Sequence, residues 1–550
     1  MNPGDLEQSG AGRSIADGRG PSAPGSRRLR GPWGVLLILG VCAAVYGPRL
    51  GTHGLSMSEG HRAIPGWEMA TSGEWLLPRM FERLYLRKPP GMFWAIAASA
   101  KVLGETEFSA RAVSALSMTA SALLVFFITR RWFGNPGGLA AGLAQALTPL
   151  WWLPGRSAEI EALNNTLTQA ACLLIADAIV RWRAAGKGVG ATGGVGSPTE
   201  TARATLFTTL GVAISTGGAL LVKGPACVSA IGATLLAGLV VARAARAAFR
   251  PGVVAGLLVG AGAFGAWLWM AERAIAAAGV DPLAPVVRQS VGDFLYGPGW
   301  ATKLPLMPIA AIASAMPAAL AMLFVFGRDA CAERDAGEQA RLATNAARLL
   351  SMAALLGVGA LAAAGVTNPR YAMPALGLIP PVVGYVVWGV LGGFGHARAR
   401  LARALMLGNP ARLGVVMTIA AVVGAQVMES SRARNSGRDA GQVLGALLAQ
   451  HAAARGQTGV EVWADFAIEA RPEVLDACRR TARSLGLDVR ARWVALADAP
   501  PDQASGAWLL LRSDPEGSEL PRWSEGRVAV GEAKAAKFGF VLLAPADPGP

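Results

Sequence analysis

Between Ser58 and Trp94 the sequence places a carboxylate, Glu59, beside a series of cations: His61, Arg62, Arg79, Arg83, Arg87 and Lys88. A carboxylate can take a proton from a hydroxyl, and neighbouring cations can neutralise a departing phosphate. The same residues also read as a solvated loop whose cations touch lipid headgroups. Further acids follow in Arg156-Ser157-Ala158-Glu159-Ile160-Glu161, with Asn164 and Asn165 one turn beyond Glu161. Those amides can bond a sugar or act as polar glue between helices. Lys223, before Gly224-Pro225, and Arg370 with Tyr371 are interfacial anchors when taken singly; on one face they would make a phosphate site. No His-x-x-x-His or Asp-x-Asp spacing occurs, so no metal site is assigned, no cofactor is required and a divalent metal is unsupported.

The elements that must hold these groups are apolar. Of 550 residues 53% are hydrophobic and only 16% charged, with a mean hydropathy of +0.39. Soluble chains carry about 25% charged residues. The composition therefore predicts a polytopic α-helical membrane protein and excludes wholesale disorder. The net charge of +15 comes from basic residues clustered between apolar runs, which is a topological signal and not a nucleic-acid footprint. The five cysteines are scattered without a C-x-x-C, which argues against a disulfide framework or a zinc ribbon.

The apolar runs predict about eleven spans: 31–48, 112–129, 137–153, 162–180, 204–222, 225–242, 252–271, 304–327, 349–366, 371–394 and 413–428. A further run, 91–104, would rise only about 21 Å as a helix, short of a hydrocarbon core of roughly 30 Å. It reads as a re-entrant or interfacial helix. Leaving it out puts the Arg-rich connectors on one side, so the positive-inside rule makes that side cytoplasmic. Residues 1–30 then form a disordered cytoplasmic tail, and 31–428 the membrane domain with an outer loop at 49–110. Residues 429–550 alternate helix-like and strand-like stretches and read as a small extracytoplasmic α/β domain.

The motifs Ser58-Glu59-x-His61-Arg62-Ala63, Glu68-Met69-x-x-Ser72-Gly73-x-Trp75-x-x-Pro78, Tyr85-x-x-Lys88-Pro89-Pro90-x-x-x-Trp94 and Phe108-Ser109-Ala110-Arg111 together resemble a known family. It is the group of aminoarabinose lipid A transferases and protein O-mannosyltransferases, membrane glycosyltransferases of the GT-C fold. The resemblance covers about residues 55–180, is looser around Lys223 and Arg370, and does not extend to the C-terminal region. It implies a polyprenyl-phosphate-linked sugar as donor. It also implies a catalytic carboxylate in the first outer loop, where the family pattern Asp-Glu is Ser58-Glu59 here, and a second acid at Glu161. Lys88 takes the family's place near the donor phosphate, and Arg87 replaces an acid beside it.

The expected function is an inverting glycosyltransferase of the bacterial cytoplasmic membrane, acting on its outer face. Its catalytic residues would be Glu59 and Glu161. Ser58, His61, Arg62, Arg87, Lys88, Asn164, Lys223, Arg370 and Tyr371 would bind substrate. The acceptor is a lipid, a glycan or a protein, the surroundings are membrane lipids, and nucleic acid is no partner. The competing expectation, kept open by Ser58, is a non-catalytic protein that binds or transports a polyprenyl-linked lipid.

Overall fold

In the computed structural model of the chain, the described residues are 31–56, 58–186, 198–242, 248–277, 306–326, 337–366, 368–394, 396–406, 408–433, 436–465, 471–494, 506–513, 527–535 and 538–545. The expected tail 1–30, most of the connector 272–303 and Cys331 lie outside them.

Helices dominate residues 31–433. Apart from the short helices Met373–Leu376 and Val383–Trp388, they are α1 (Gly31–Tyr46), α2 (Gly60–Ser72), α3 (Gly91–Leu103), α4 (Glu107–Leu147), α5 (Ile160–Gly186), α6 (Pro198–Lys223) and α7 (Val228–Ala242). After these come α8 (Pro251–Ala277), α9 (Leu306–Ser314), α10 (Glu338–Ala363), α11 (His396–Leu405) and α12 (Pro410–Ala433). Among the described residues seven helical stretches are long and apolar enough to cross a membrane, or eight if α9 and the turn Ala318–Phe324 form one bent span. Three of the seven contain breaks, among them Pro369–Gly392, which is assembled from short helical pieces. Gly134, at φ 70°, interrupts α4 just before Pro136, and Gly224, at φ 65°, separates α6 from α7. A positive φ is open to glycine, and a proline following it cannot continue the hydrogen-bond ladder. The start of α4 is fixed by a capping box in which Thr106 and Ser109 bond each other's backbone N–H. Helix α10 begins eleven residues before the run expected at 349–366, because its polar first turns, with Arg341 and Arg348, still bury Ala343, Ala346 and Ala347.

Polar side chains tie the spans together inside this apolar body. Gln169 of α5 accepts from Ser121 and donates to Gln145, both on α4, and to the carbonyl of Gly377 in the broken span Pro369–Gly392. In an apolar interior such groups must find one another, so they fix the rotation of the helices.

The C-terminal region carries α13 (Arg438–Ala454) and α14 (Pro472–Ser484) on a five-stranded sheet. Its strands are β3 (Gly459–Asp465), β4 (Asp488–Val494), β5 (Trp508–Ser513), β6 (Val528–Ala535) and β7 (Phe538–Ala544), in the order β4-β3-β5-β7-β6. β3 pairs in parallel with β4 and β5, and β7 runs antiparallel to β5 and β6. The short strands β1 (Arg79–Met80) and β2 (Arg83–Leu84) form a hairpin in the first loop.

One continuous core joins this region to that loop: Ile64, Trp67, Tyr85 and Phe93 pack with Leu444, Val474, Leu475 and Val462. Around it, Ser56 bridges Ser436, Arg438 pairs with Glu107 at 3.8 Å, and the Arg480 guanidinium lies 4.1 Å from the Trp67 ring centre. The C-terminal region therefore shares a face with the first loop.

Two acids sit at this junction. Burial lifts Glu68 to about 7, against the pull of the Phe81 N–H and Arg479. Burial also lifts Glu473 to about 7, outweighing its ion pair with Arg471 at 2.6 Å, while the Glu59 carboxylate pushes it further up. Both folded values lie above the ordinary 4.5, so the folded state keeps protons that the unfolded state loses. Their contribution is complete below pH 4.5 and disappears as pH rises through about 7. The melting temperature of the purified protein should therefore fall between about pH 5 and pH 8. Glu473→Gln should flatten that slope, and an unchanged slope in this variant would refute the assignment.

Candidate functional site

The site grows from one buried ion pair. Glu59 precedes α2 with its side chain fully buried. Arg111, one turn into α4, donates to it through Nε at 2.9 Å and Nη2 at 2.8 Å. The Ser56 N–H and the Ala158 N–H add bonds at 2.9 and 2.8 Å, and the Ser56 hydroxyl one at 3.2 Å. A carboxylate has about four acceptor positions, so Glu59 is saturated. The Arg111 guanidinium in turn holds the carbonyls of Leu50, His53 and Gly54. Glu59, expected as a catalytic carboxylate, ties the first loop to α4 and to the segment before α5.

The residues next to that staple meet. Ser58 donates its hydroxyl to Glu159 Oε1. The other oxygen of Glu159 accepts from Arg370 Nη2 at 2.7 Å, and the same Nη2 lies 2.7 Å from Glu161 Oε2. Lys223 Nζ completes the group, 3.1 Å from Glu161 Oε1 and 5.1 Å from the ring centre of Tyr371. Two carboxylates and two cations thus balance. Glu161 and Lys223 are nearly inaccessible, whereas the Arg370 side chain is 41% exposed. Glu161 also stands in the first turn of α5, where the helix dipole favours a negative charge.

Five of the residues singled out by sequence, Ser58, Glu161, Lys223, Arg370 and Tyr371, therefore come together. The others stand around them. Arg62 Nη1 donates to the Tyr85 hydroxyl at 3.3 Å, and His61 stacks on the Tyr85 ring at 5.9 Å between centres. Arg87 and Lys88 are partly buried in the turn before α3. That turn is brought close to Lys223, since a Cβ on Gly91 would sit 2.8 Å from the Leu221 carbonyl oxygen. Asn164 and Asn165 are buried one turn below Glu161, and Oδ1 of Asn164 and both amide atoms of Asn165 have no hydrogen-bond partner among the described residues. Among the described residues no group of three or more His, Cys, Asp or Glu is gathered as metal ligands would be.

Two residues central to this geometry had no role assigned from sequence. Glu159 is an acid two positions before Glu161, and its alternation with Glu161 just ahead of the helix was the available signal. Arg111 ended a motif that was noted for its pattern and not for its charge.

Residues 87–241 match the family model described as dolichyl-phosphate-mannose-protein mannosyltransferase. Over 105 residues the chain is 38% identical to the undecaprenyl phosphate-alpha-4-amino-4-deoxy-L-arabinose arabinosyl transferase 2 of Pseudomonas fluorescens (strain Pf0-1), and 36% identical to its counterpart in strain ATCC BAA-477. These matches cover 19% of this chain, and they span less than a fifth of the length of those relatives. The structure of ArnT from Cupriavidus metallidurans bound to undecaprenyl phosphate superimposes with a TM-score of 0.65 at 15% identity, over 94% of this chain and 99% of that one. The apo form of the same protein gives a TM-score of 0.64. By fold, therefore, the chain is of the GT-C type, in agreement with the resemblance carried by the loop motifs.

Removing one partner from a buried ion pair leaves the other charge uncompensated, at a cost of about 3–5 kcal/mol. Arg111→Met should accordingly lower the melting temperature of detergent-purified protein steeply, along with its yield. A variant that melts like the parent would show that the pair is not structural.

Proposed function

We propose that this chain transfers a sugar from a polyprenyl-phosphate donor to a hydroxyl or phosphate of a lipid, glycan or protein acceptor on the outer face of the bacterial cytoplasmic membrane. The observation that carries this reading is the cluster Glu159–Arg370–Glu161–Lys223, held against the first outer loop in a fold shared over nearly its whole length with a protein solved with undecaprenyl phosphate bound. Eleven spans remain the proposed count. They follow if the two breaks at Gly134 and Gly224 each divide a long helix into two crossings, the bent pair is one span, and the 16-residue α1 also crosses.

In the proposed reaction the donor phosphate enters beside Arg370, the most exposed member of the cluster, with Lys88, Arg87, Arg62 and His61 lining the approach. A guanidinium that turns to a phosphate loosens its hold on Glu159. That carboxylate then takes the proton of the acceptor hydroxyl. The acceptor oxygen bonds to the anomeric carbon as the bond from that carbon to the phosphate oxygen breaks. Polyprenyl phosphate leaves with its charge met by Arg370 and Lys223, and the configuration inverts. Glu161 keeps both cations oriented, and the amides of Asn164 and Asn165, together with Tyr371, are available to sugar hydroxyls. Ser58 cannot act as a carboxylate base, but its hydroxyl holds one Glu159 oxygen. In this reading the acid absent at position 58 is supplied from position 159. That bond favours an enzyme over a binding protein that has lost its reaction.

Removing a general base slows a reaction by about 10²–10⁴. In proteoliposomes supplied with radiolabelled polyprenyl-phosphate sugars and membrane extract, Glu159→Gln should reduce transfer by that order while donor binding persists. Arg370→Ala should weaken donor binding as well. Full transfer by Glu159→Gln would remove Glu159 from the mechanism, and donor binding without turnover in the parent protein would favour the binding-protein reading.

A further inference from the structure

The opposite ends of the same helices hold a second basic site. Asp177 lies sixteen residues beyond Glu161 on α5, a rise of about 24 Å. Around it opens a cavity of about 690 Å³ to which four separate elements bring an arginine: Arg131 from the end of the first half of α4, Arg181 from α5, Arg203 from α6 and Arg250 from the residue before α8. Among the described residues Asp177 is the sole carboxylate in its wall, and it is already engaged. Its oxygens accept from Trp132 Nε1 at 2.9 Å and Arg131 Nη1 at 3.1 Å, with Arg181 Nη1 at 3.5 Å. Arg250 gives one Nη1 bond, at 3.3 Å, to the Ala178 carbonyl. Among the described residues the lining therefore holds four positive charges against one negative, and no carboxylate of the wall lies against Arg203 and Arg250.

The rest of the wall is apolar, with Leu174, Trp182, Phe207 and Val253. Phe207 is 62% exposed, and Leu206 and Leu210 beside it are 58% and 52% exposed, so the rim on α6 presents hydrocarbon outward on a membrane-span candidate. A soluble anion needs no such rim, whereas a phosphate carrying acyl chains does. Basic cavities between spans near a membrane surface suit anionic headgroups.

We infer that this cavity binds the phosphate headgroup of an anionic phospholipid from the leaflet opposite the transfer site, with Arg203 and Arg250 on the phosphate and the acyl chains along Phe207 and Val253. The positive-inside pattern makes that leaflet cytoplasmic. The site is independent of the transfer reaction, and its test uses no turnover readout.

Full-length protein, delipidated in detergent, would be offered phosphatidylglycerol, phosphatidylcholine or glycerol phosphate, with retained lipid counted by native mass spectrometry and melting temperature followed in parallel. Phosphatidylglycerol should be retained and should raise the melting temperature, with phosphatidylcholine and glycerol phosphate doing neither. Losing two basic contacts should weaken retention by about ten- to thirty-fold in Arg203→Gln/Arg250→Gln. The charge-preserving Arg203→Lys/Arg250→Lys should keep most of it, which separates lost binding from lost folding. Equal retention of phosphatidylcholine, unchanged retention in the glutamine variant, or full competition by glycerol phosphate would each overturn the inference.

Discussion

The pair between Glu59 and Arg111 is the constraint on which the outer half of this molecule rests. A charge sealed from water must be matched in place, and here the matching is done by a guanidinium and by the N–H groups of Ser56 and Ala158. Those two backbone groups belong to segments a hundred residues apart in sequence. Ser58 precedes Glu59 and Glu159 follows Ala158, so the bond that fixes Glu59 to Ala158 also sets the distance at which Ser58 meets Glu159. The proposed active group is thus placed by its immediate neighbours, and its accuracy derives from the buried contact beside it.

Much of this was legible in the sequence, for a physical reason. Apolar runs of span length have few alternatives once composition points to a bilayer. In the C-terminal region, strand-like and helix-like stretches coincide with β3–β7 and α13–α14 to within a few residues. The cations at Lys223 and Arg370 were readable as a pair because topology puts both at the same ends of their spans. What sequence could not supply was the state of each side chain. Glu59 has the type and setting of a catalytic acid, and only its saturated surroundings make it structural. Glu159 looks like any acid ahead of a helix until its oxygens are found between Ser58 and Arg370. Likewise the arginines of the connectors could be counted onto one face, but their convergence on a single cavity depends on how α4, α5, α6 and α8 pack.

Charge is divided between the two ends of the bundle in different ways. At the outer end two acids neutralise two bases, so the cluster is stable alone and a phosphate must compete for its cations. At the other end, among the described residues, four arginines share one acid, so an incoming anion meets an excess of positive charge. The first arrangement suits a ligand that arrives, reacts and leaves, the second one that stays. Neither feature follows from the net charge of +15, which only records that bases exceed acids.

The shared core between the first loop and the C-terminal region bears on how the protein is made. Gly60 packs against Pro472 and Glu473, and Gly54 against Ser436 and Arg438, partners that leave the ribosome several hundred residues later. Contacts so distant along the chain form late and slowly. Through most of synthesis the Glu59 loop therefore lacks the surface that covers it, and its apolar residues stay exposed. The nascent bundle can assemble helix by helix, but the cluster at its loop end closes only when the last hundred residues have folded.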